Sequence, residues 1–305
     1  MNTRSIVQAV EICVLCVVVA FSCLPAWAQQ DFSKVEITTT KVADGIYMLE
    51  GAGGNIGVSV GVDGVFLVDD QFAPLTEKIV AAVKAVDEGP IRFVLNTHWH
   101  GDHTGGNENL GEAGALIVAH DNVRRQMTVE HFFELWDRKV PASSEGSLPV
   151  VTFSDAVTFH LNGDDIHAFH VAKAHTDGDS MVHFRKSNVL HTGDVFFSGR
   201  FPFIDVYTGG SLAGVIAACD VALELADDAT KIIPGHGPLS DRADLLAYRS
   251  MLQKVHDTVA PMVRQGKSLE EIQAAEPLAP LVDEWGGGFL NAEQFLGLVY
   301  QQMAK

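Results

Sequence analysis

Residues 96–107 read Asn-Thr-His-Trp-His-Gly-Asp-His-Thr-Gly-Gly-Asn and follow a largely apolar run, residues 91–95, that predicts a buried strand. Four ligand-type side chains fall within six positions: His98, His100, Asp102 and His103. Residues two apart at a strand end point the same way, so the first two histidines can hold one ion between them. The aspartate and the third histidine fall where the chain turns toward a predicted helix and can serve a second ion. Because imidazole and carboxylate groups are ligands for zinc and other divalent metals, the stretch predicts a metal centre.

This stretch resembles the His-x-His-x-Asp-His signature of the metallo-β-lactamase superfamily. Members of that family supply three further ligands downstream: a histidine, an aspartate and a last histidine. The chain has a candidate for each, in that order: His175 in Ala-His-Thr-Asp-Gly-Asp-Ser, Asp194 in His-Thr-Gly-Asp, and His236 in Pro-Gly-His-Gly-Pro. Each candidate follows a strand-like run, and the resemblance extends from about residue 35 to about residue 250.

The resemblance implies an α/β fold, the αβ/βα four-layer sandwich of this family, and a binuclear centre. The ligands it implies for one ion are His98, His100 and His175, and those for the other are Asp102, His103 and His236, with Asp194 bridging both. Two such ions would share a water, lower its pKa toward neutrality and supply a hydroxide that attacks a carbonyl. Asp102 would also be catalytic, because it would orient that nucleophile. We expect two zinc ions (Zn²⁺), while iron or manganese remains open because the ligand set contains no thiolate.

The pattern of apolar residues predicts two successive halves, each rich in strands and each containing helices. Predicted strands of the first half cover residues 35–40, 45–49, 56–62, 65–69, 91–96 and 115–119, with helices over 74–86, after 104 and from about 121. Those of the second half cover 156–161, 165–171, 180–184, 188–191 and 231–233, with helices over 211–226 and from about 241 to 263. Two such halves, each delivering ligands from loops at strand ends, are typical of the sandwich that the resemblance implies.

The first 28 residues predict a signal peptide. Arg4 precedes the apolar stretch 12–24, and Ala26-Trp27-Ala28 fits a small-x-small cleavage site. The apolar stretch is short for a membrane span, so no membrane association is expected after cleavage. We therefore expect export to a bacterial periplasm or beyond, a metallo-β-lactamase-fold domain over residues 29–263, and a helical C-terminal extension over residues 264–305.

The chain is acidic, with a formal charge of −18 at pH 7. Such a surface argues against nucleic acid or anionic lipid as a partner and against the nuclease branch of the resembled family. A small-molecule substrate is expected, and no obligate protein partner is implied. Cys219 is the only cysteine beyond the predicted signal peptide, so the exported chain would have no internal disulfide. Its helix-like surroundings predict a small core residue.

The substrate contacts are less well defined by the sequence. The glycine-rich segment 51–57 forms either a mobile edge over the centre or an ordinary tight turn, and Asn55 within it is a candidate substrate contact. Arg200, in Phe-Phe-Ser-Gly-Arg-Phe-Pro, is a candidate anchor for a substrate carboxylate. His191 is either a hydrogen-bonding partner of the centre or a structural residue. Trp99 is expected to pack in the interior.

Metallo-β-lactamases, thioesterases of the glyoxalase II kind, lactonases, nucleases and sulfur dioxygenases use versions of this site, and the fold does not decide among them. Predicted export favours a β-lactamase, because β-lactams act in the periplasm. Two residues depart from the best-known lactamase branch: Asp194 stands where that branch has cysteine, and His103 where it has a non-ligand. The expected function is an exported binuclear zinc hydrolase with β-lactamase activity. A thioesterase or lactonase, an iron persulfide dioxygenase and a non-catalytic periplasmic metal-binding accessory protein remain alternatives.

Overall fold

The computed structural model describes residues 31–304, so the predicted signal peptide lies outside the described residues. Their strands are β1 Thr38–Ala43, β2 Ile46–Glu50, β3 Ile56–Ser59, β4 Val65–Val68, β5 Ile91–Asn96, β6 Leu116–His120, β7 His131–Phe133, β8 Arg138–Val140, β9 Val151–Phe153, β10 Ala156–Leu161, β11 Asp164–His170, β12 Ser180–Phe184, β13 Val189–His191 and β14 Lys231–Ile233. Their α-helices are α1 Thr76–Lys84, α2 Gly101–Thr104, α3 Asn107–Glu112, α4 Asp121–Met127, α5 Leu212–Leu225, α6 Arg242–Arg264, α7 Leu269–Gln273, α8 Val282–Trp285 and α9 Ala292–Met303. None of these helices has the length and apolar character needed to span a bilayer.

The strands form two large sheets and one short hairpin. The first sheet has the order β1-β2-β3-β4-β5-β6-β9, and the second has the order β10-β11-β12-β13-β14. Pairing in the first sheet is antiparallel as far as β4 and parallel from β4 to β9. In the second sheet only β13 and β14 are parallel. Strands β7 and β8 pair with each other, outside both sheets.

The two sheets pack face to face, and helices cover their outer faces. Leu95 of β5 lies in one apolar cluster with Val182 and Phe184 of β12. Its neighbour Val94 points the opposite way and packs against α1 through Ile79, as the two-residue period of a strand requires. On the outer face of the second sheet, α5, α6 and α9 share a third cluster with β12 and β13. The order helix, sheet, sheet, helix confirms the predicted αβ/βα four-layer sandwich.

The residues after α6 belong to the same apolar cluster as the second half. Tyr248 of α6 and Phe295 of α9 are both fully buried in it. The rings of Phe201 and Phe295 stack at 4.9 Å, which joins the loop after β13 to the last helix. Cys219, on α5, is buried in this cluster as a free thiol, as predicted. The C-terminal helices therefore support the elements that carry the second half of the predicted ligands.

Candidate metal centre

Four loops carry the seven predicted ligands, and each loop follows the carboxyl end of a strand. They come after β5, β11, β13 and β14, so they meet at one edge of the sandwich. The structure brings the seven residues together in two groups: His98, His100, His175 and Asp194 in one, and Asp102, His103 and His236 in the other. Within each group the ligand atoms lie within 4.8 Å of one another. Two adjacent metal sites are therefore geometrically possible.

In the first group three imidazole nitrogens face each other. His100 Nδ1 lies 3.0 Å from His98 Nε2 and 2.9 Å from His175 Nε2. The Oδ2 atom of Asp194 completes the group, at 3.7 Å from His98 Nε2 and 3.5 Å from His175 Nε2. His98, His175 and Asp194 are buried, and only His100 is partly accessible. Four donor atoms thus surround one small space.

Asp194 also contacts both histidines of the second group. Its Oδ1 atom lies 3.1 Å from His103 Nε2, and its Oδ2 atom lies 3.4 Å from His236 Nε2. The Oδ2 atom of Asp102 is 3.7 Å from the first of these nitrogens and 3.4 Å from the second. Asp194 therefore stands between the two groups, where a bridging carboxylate would stand.

Asp69 fixes the tautomer of two ligand candidates. Its Oδ2 atom lies 2.8 Å from His103 Nδ1 and accepts a hydrogen bond from the hydroxyl of Thr97 at 2.8 Å. Since that hydroxyl uses its proton on Asp69, it accepts from His98 Nδ1, 3.1 Å away. A neutral imidazole that donates from Nδ1 has its lone pair on Nε2. In its neutral form, each ring therefore turns an Nε2 lone pair toward the centre.

The other two histidines of the first group are fixed in the same manner. His175 Nδ1 donates to the carbonyl oxygen of Phe203 at 2.8 Å, which leaves the lone pair on Nε2. His100 is reversed: its Nε2 donates to Asp205 Oδ2 at 3.0 Å, so its lone pair is on Nδ1. Partners of this kind orient metal-binding histidines and raise their basicity. Asp69 and Asp205 are thus functional residues that the sequence analysis did not identify.

The donor set fits a divalent cation. His103 Nε2 and Asp194 Oδ1 are buried and have no hydrogen-bond partner among the described residues, although buried polar atoms are normally paired. Lone pairs that converge at about 3 Å repel each other, and a cation between them removes that cost. Neutral imidazole and carboxylate are the forms that zinc binds. These atoms, together with the three facing nitrogens of the first group, therefore point to a metal site.

The pKa values of four ligand histidines are shifted in two opposite directions. Burial lowers the pKa of His98 well below its usual range and that of His175 to about 4, which keeps both neutral. Burial acts in the same direction on His103 and His236, but the carboxylates of Asp194 and Asp102 outweigh it. Their charge raises the pKa of His103 and brings that of His236 to about 9. Without metal, the second group therefore holds protons that a bound cation must displace.

The glycine-rich segment packs against the metal-binding loop. The N–H of Gly54 donates to the carbonyl oxygen of Asp102 at 3.0 Å. A Cβ atom on Gly54 would overlap the ring of His103. Glycine is therefore required here for a close approach of the backbone, which favours the interpretation of this segment as a tight turn.

Asn55, the predicted substrate contact, makes hydrogen bonds to the loop of His236. Its side chain is buried, and its amide group donates to the carbonyl oxygens of Pro234 at 3.0 Å and Gly237 at 2.8 Å. These bonds hold the loop of His236 and occupy both amide hydrogens. His191 joins the same arrangement, because its Nε2 donates to the carbonyl oxygen of Asn55 at 3.0 Å. Both residues hold the backbone around the centre in place, and a substrate contact of Asn55 stays a prediction.

Two further expectations concern the neighbourhood of the centre. Trp99 is buried and packs in a cluster of aromatic rings, as expected. Arg200 lies in the loop after β13, where its Nε makes a long hydrogen bond of 3.4 Å to the carbonyl oxygen of Ser198. A Cβ atom on Gly288 would meet its side chain at 2.9 Å, so this arginine packs against the C-terminal segment. Its role as an anchor for substrate stays a prediction.

Comparison with known proteins identifies the family. The sequence profile of the metallo-β-lactamase superfamily matches residues 51–236, more than half of the chain and the whole span from the glycine-rich segment to the last ligand. The chain belongs to this superfamily. With its site of histidines and aspartates, it is a metal-dependent hydrolase.

Solved structures agree with this assignment of the fold. The metallo-β-lactamase DIM-1 is 22% identical with a TM-score of 0.58, over 72% of this chain and 99% of that chain. A metallo-β-lactamase from Pontibacter korlensis is 19% identical with a TM-score of 0.59, over the same shares. FIM-1 from Pseudomonas aeruginosa, in its mono-zinc form, is 21% identical with a TM-score of 0.57, over 72% of this chain and 96% of that chain. At these identities the likeness shows the fold alone.

Proposed function

We propose that this chain is an exported, binuclear zinc hydrolase and that β-lactams are among its substrates. The observation that carries the binuclear assignment is the position of Asp194, whose carboxylate contacts histidines of both ligand groups. Bound zinc would supply a Lewis acid for the substrate carbonyl and would lower the pKa of a bound water molecule. Zinc is favoured because four of the five histidines present an oriented lone pair.

The residues of the centre have distinct tasks in such a reaction. The buried ligands hold the site rigid, and their outer hydrogen bonds prevent the rings from turning. Asp102 is the most exposed of the seven, with 28% of its side chain accessible. Burial opposes its ionisation, but His103 and His236 lower its pKa below the usual range, so it is ionised at neutral pH. As an ionised and partly exposed carboxylate, it would accept a hydrogen bond from an attacking water molecule and orient it.

Two considerations support a β-lactam as substrate. The fold is similar to several metallo-β-lactamases, and the predicted signal peptide would bring the enzyme to the compartment in which β-lactams act. A specific observation favours a second candidate, hydrolysis of a lactone or a thioester. His103 joins Asp102 and His236 in an all His/Asp group, which resembles the glyoxalase II type.

The test is turnover by purified protein of known metal content. Nitrocefin, S-lactoylglutathione and a simple γ-lactone would be assayed in parallel, with Asp194→Ala as the inactive control. Hydrolysis of nitrocefin that Asp194→Ala abolishes supports the β-lactam assignment. Turnover of only the lactone or the thioester would replace it with the second candidate. Iron in place of zinc, with oxygen consumption on a persulfide, would overturn both.

Export has its own test. We expect the chain, expressed with residues 1–28, to be recovered from the periplasmic fraction with Gln29 as its first residue. A chain that stays in the cytosol with its first residues intact would contradict the proposal.

A further inference from the structure

The hairpin of β7 and β8 lies beside the metal centre, and its two faces differ. Residues of β8 alternate between partly buried Arg138, exposed Lys139 and partly buried Val140. In β7, Phe133 is buried whereas Phe132 is 45% exposed. One face of the hairpin is thus turned inward, and it carries an arginine.

That face is directed at the metal ligands. Arg138 pairs with Phe133 across the hairpin, and directly opposed residues of an antiparallel pair have their side chains on the same face. The ring of Phe133 stacks on Trp99 at 5.9 Å and lies 6.1 Å from the ring of His100. The side chain of Arg138 therefore leaves the hairpin on the side of the centre.

Arg138 has no partner among the described residues. Its Nε is buried without a hydrogen bond, and no carboxylate forms an ion pair with its guanidinium. Burial lowers the pKa of Arg138, and the one carboxylate that acts in the opposite direction is Asp102 of the centre. An unpaired, partly desolvated cation is costly, and two metal ions nearby would add repulsion. Binding of an anion from outside the protein would therefore stabilise this arginine.

Aromatic side chains extend from the centre to the surface beside this arginine. The ring of Phe203 lies 5.7 Å from that of His100 and 4.9 Å from that of Trp136. Phe289, from the C-terminal segment, lies 6.4 Å from Trp136 and 6.5 Å from Phe203. Trp136 is 40% exposed and Phe289 is 56% exposed. Exposed aromatic rings in contact with one another commonly mark a binding surface.

We infer that Arg138 binds the carboxylate of the substrate and that Trp136 and Phe289 contact an apolar group of the same molecule. The substrate class is therefore an anionic carbonyl compound with a bulky apolar substituent. A chain of formal charge −18 repels anions from most of its surface, so a local cation is needed to hold one. The inference rests on the proposed function only in that the substrate reaches the metal centre. It does not require that the substrate be a β-lactam.

The test measures binding and needs no turnover. The probes are 2-mercapto-3-phenylpropanoate and its methyl ester, whose thiol group is a ligand for the metal-loaded centre and which differ in charge. Isothermal titration should show that the wild type prefers the acid. Arg138→Gln should weaken binding of the acid by about tenfold to a hundredfold, as expected for one charge-assisted hydrogen bond, and leave the ester within about twofold. Arg138→Lys, which keeps the charge but not the two-pronged geometry, should retain part of the preference.

Two matched variants separate this site from general effects of charge. Lys139→Gln removes the same charge from the exposed face of the same strand and should leave both probes unchanged. Arg200→Gln tests the rival anchor. A loss that follows Arg200 instead of Arg138, an equal loss on acid and ester, or a wild type without preference for the acid would each overturn the inference.

The apolar contact has a matched pair as well. Phe289→Ala should weaken binding of 2-mercapto-3-phenylpropanoate and leave 2-mercaptopropanoate, which lacks the ring, unchanged. Phe132→Ala, on the outward face of the hairpin, should affect neither. Equal effects of the two variants would remove the aromatic residues from the substrate site. If nitrocefin were not hydrolysed, only the β-lactam assignment would fail, because these probes report on the site without it.

Discussion

The Oδ2 atom of Asp69 lies 2.8 Å from Nδ1 of His103, and both side chains are fully buried. The same carboxylate accepts from the N–H and the hydroxyl of Thr97, at 2.7 Å and 2.8 Å. Through Thr97 it also orients His98. One carboxylate outside the ligand set thus fixes one histidine of each group.

Asp69→Asn should weaken metal binding at the centre by about tenfold to a hundredfold, as is typical when a partner of a metal-binding histidine is changed. The amide lacks the charge that favours Nδ1–H on His103. Competition with a zinc-binding dye measures the affinity. Asp70→Asn is the control, because burial raises the pKa of Asp70 well above its usual range and an amide resembles the neutral acid. Equal losses in the two variants would mean that Asp69 acts on folding alone.

Gly54→Ala should disturb the second ligand group. The added methyl group would overlap the ring of His103, and forcing such a contact costs about 1 to 3 kcal/mol of stability. We expect a lower midpoint of urea unfolding and partial loss of metal. Gly101→Ala, in the ligand motif itself, meets no atom within 4 Å and should leave both quantities unchanged. If Gly54→Ala bound metal with the affinity of the wild type, the close approach of Gly54 to the ring of His103 would not be needed for metal binding.

Asp194→Ala should release at least one metal ion, because it removes the only carboxylate that contacts both groups among the described residues. The wild type, purified without chelator, should contain close to two metal equivalents by elemental analysis. We expect kcat/KM to fall by more than about a hundredfold, beyond the effect of an outer partner. Asp177→Ala is the milder control, since Asp177 pairs with Arg125 at 2.6 Å outside the centre. Full activity with a single bound ion would contradict the binuclear mechanism.

Where apolar runs were continuous, the sequence predicted the elements closely. Strand β5 occupies residues 91–96 as predicted, because its apolar residues are followed directly by a polar, ligand-bearing loop. Helix α6 begins after Asp241, whose side chain caps it by accepting from the N–H groups of Ala243 and Asp244. The ligand loops followed from family resemblance and from their positions after strands. The local pattern of apolar, polar and capping residues was sufficient to predict these elements.

The elements and residue roles that the sequence did not predict depend on contacts between segments that are far apart along the chain. Strands β7 and β8 are three residues each and contain charged or aromatic residues on both faces, so no alternating pattern indicates them. Asp205 lies 105 positions from His100 in the sequence, and nothing in its surroundings marks it as a partner. Asn55 was expected to face substrate because it lies in a glycine-rich segment. Only the fold shows that the loop of His236 occupies its amide group.

Removal of the metal should reveal an unusual dependence of stability on pH. In the metal-free chain His236 has a pKa of about 9, compared with about 6.5 when unfolded. Its protonation therefore contributes stability that is complete below pH 6.5 and is lost as the pH rises through 9. Bound metal replaces that proton. The difference in free energy of unfolding between the loaded and metal-free protein should accordingly keep increasing up to about pH 9.

Urea unfolding of both forms between pH 6 and 9.5 measures this difference. Burial raises the pKa of Asp179 to about 8, which destabilises the folded chain as the pH rises toward 8 and acts little above that value. His175, with its pKa lowered to about 4, contributes stability that is complete above about pH 6.5 and is lost as the pH falls from there through 4, so it does not act above pH 6.5. With ordinary histidines the increase would end near pH 7, where they have lost their protons. A difference that stays constant from pH 7 to 9 would show that the carboxylates of Asp102 and Asp194 do not hold a proton on His236.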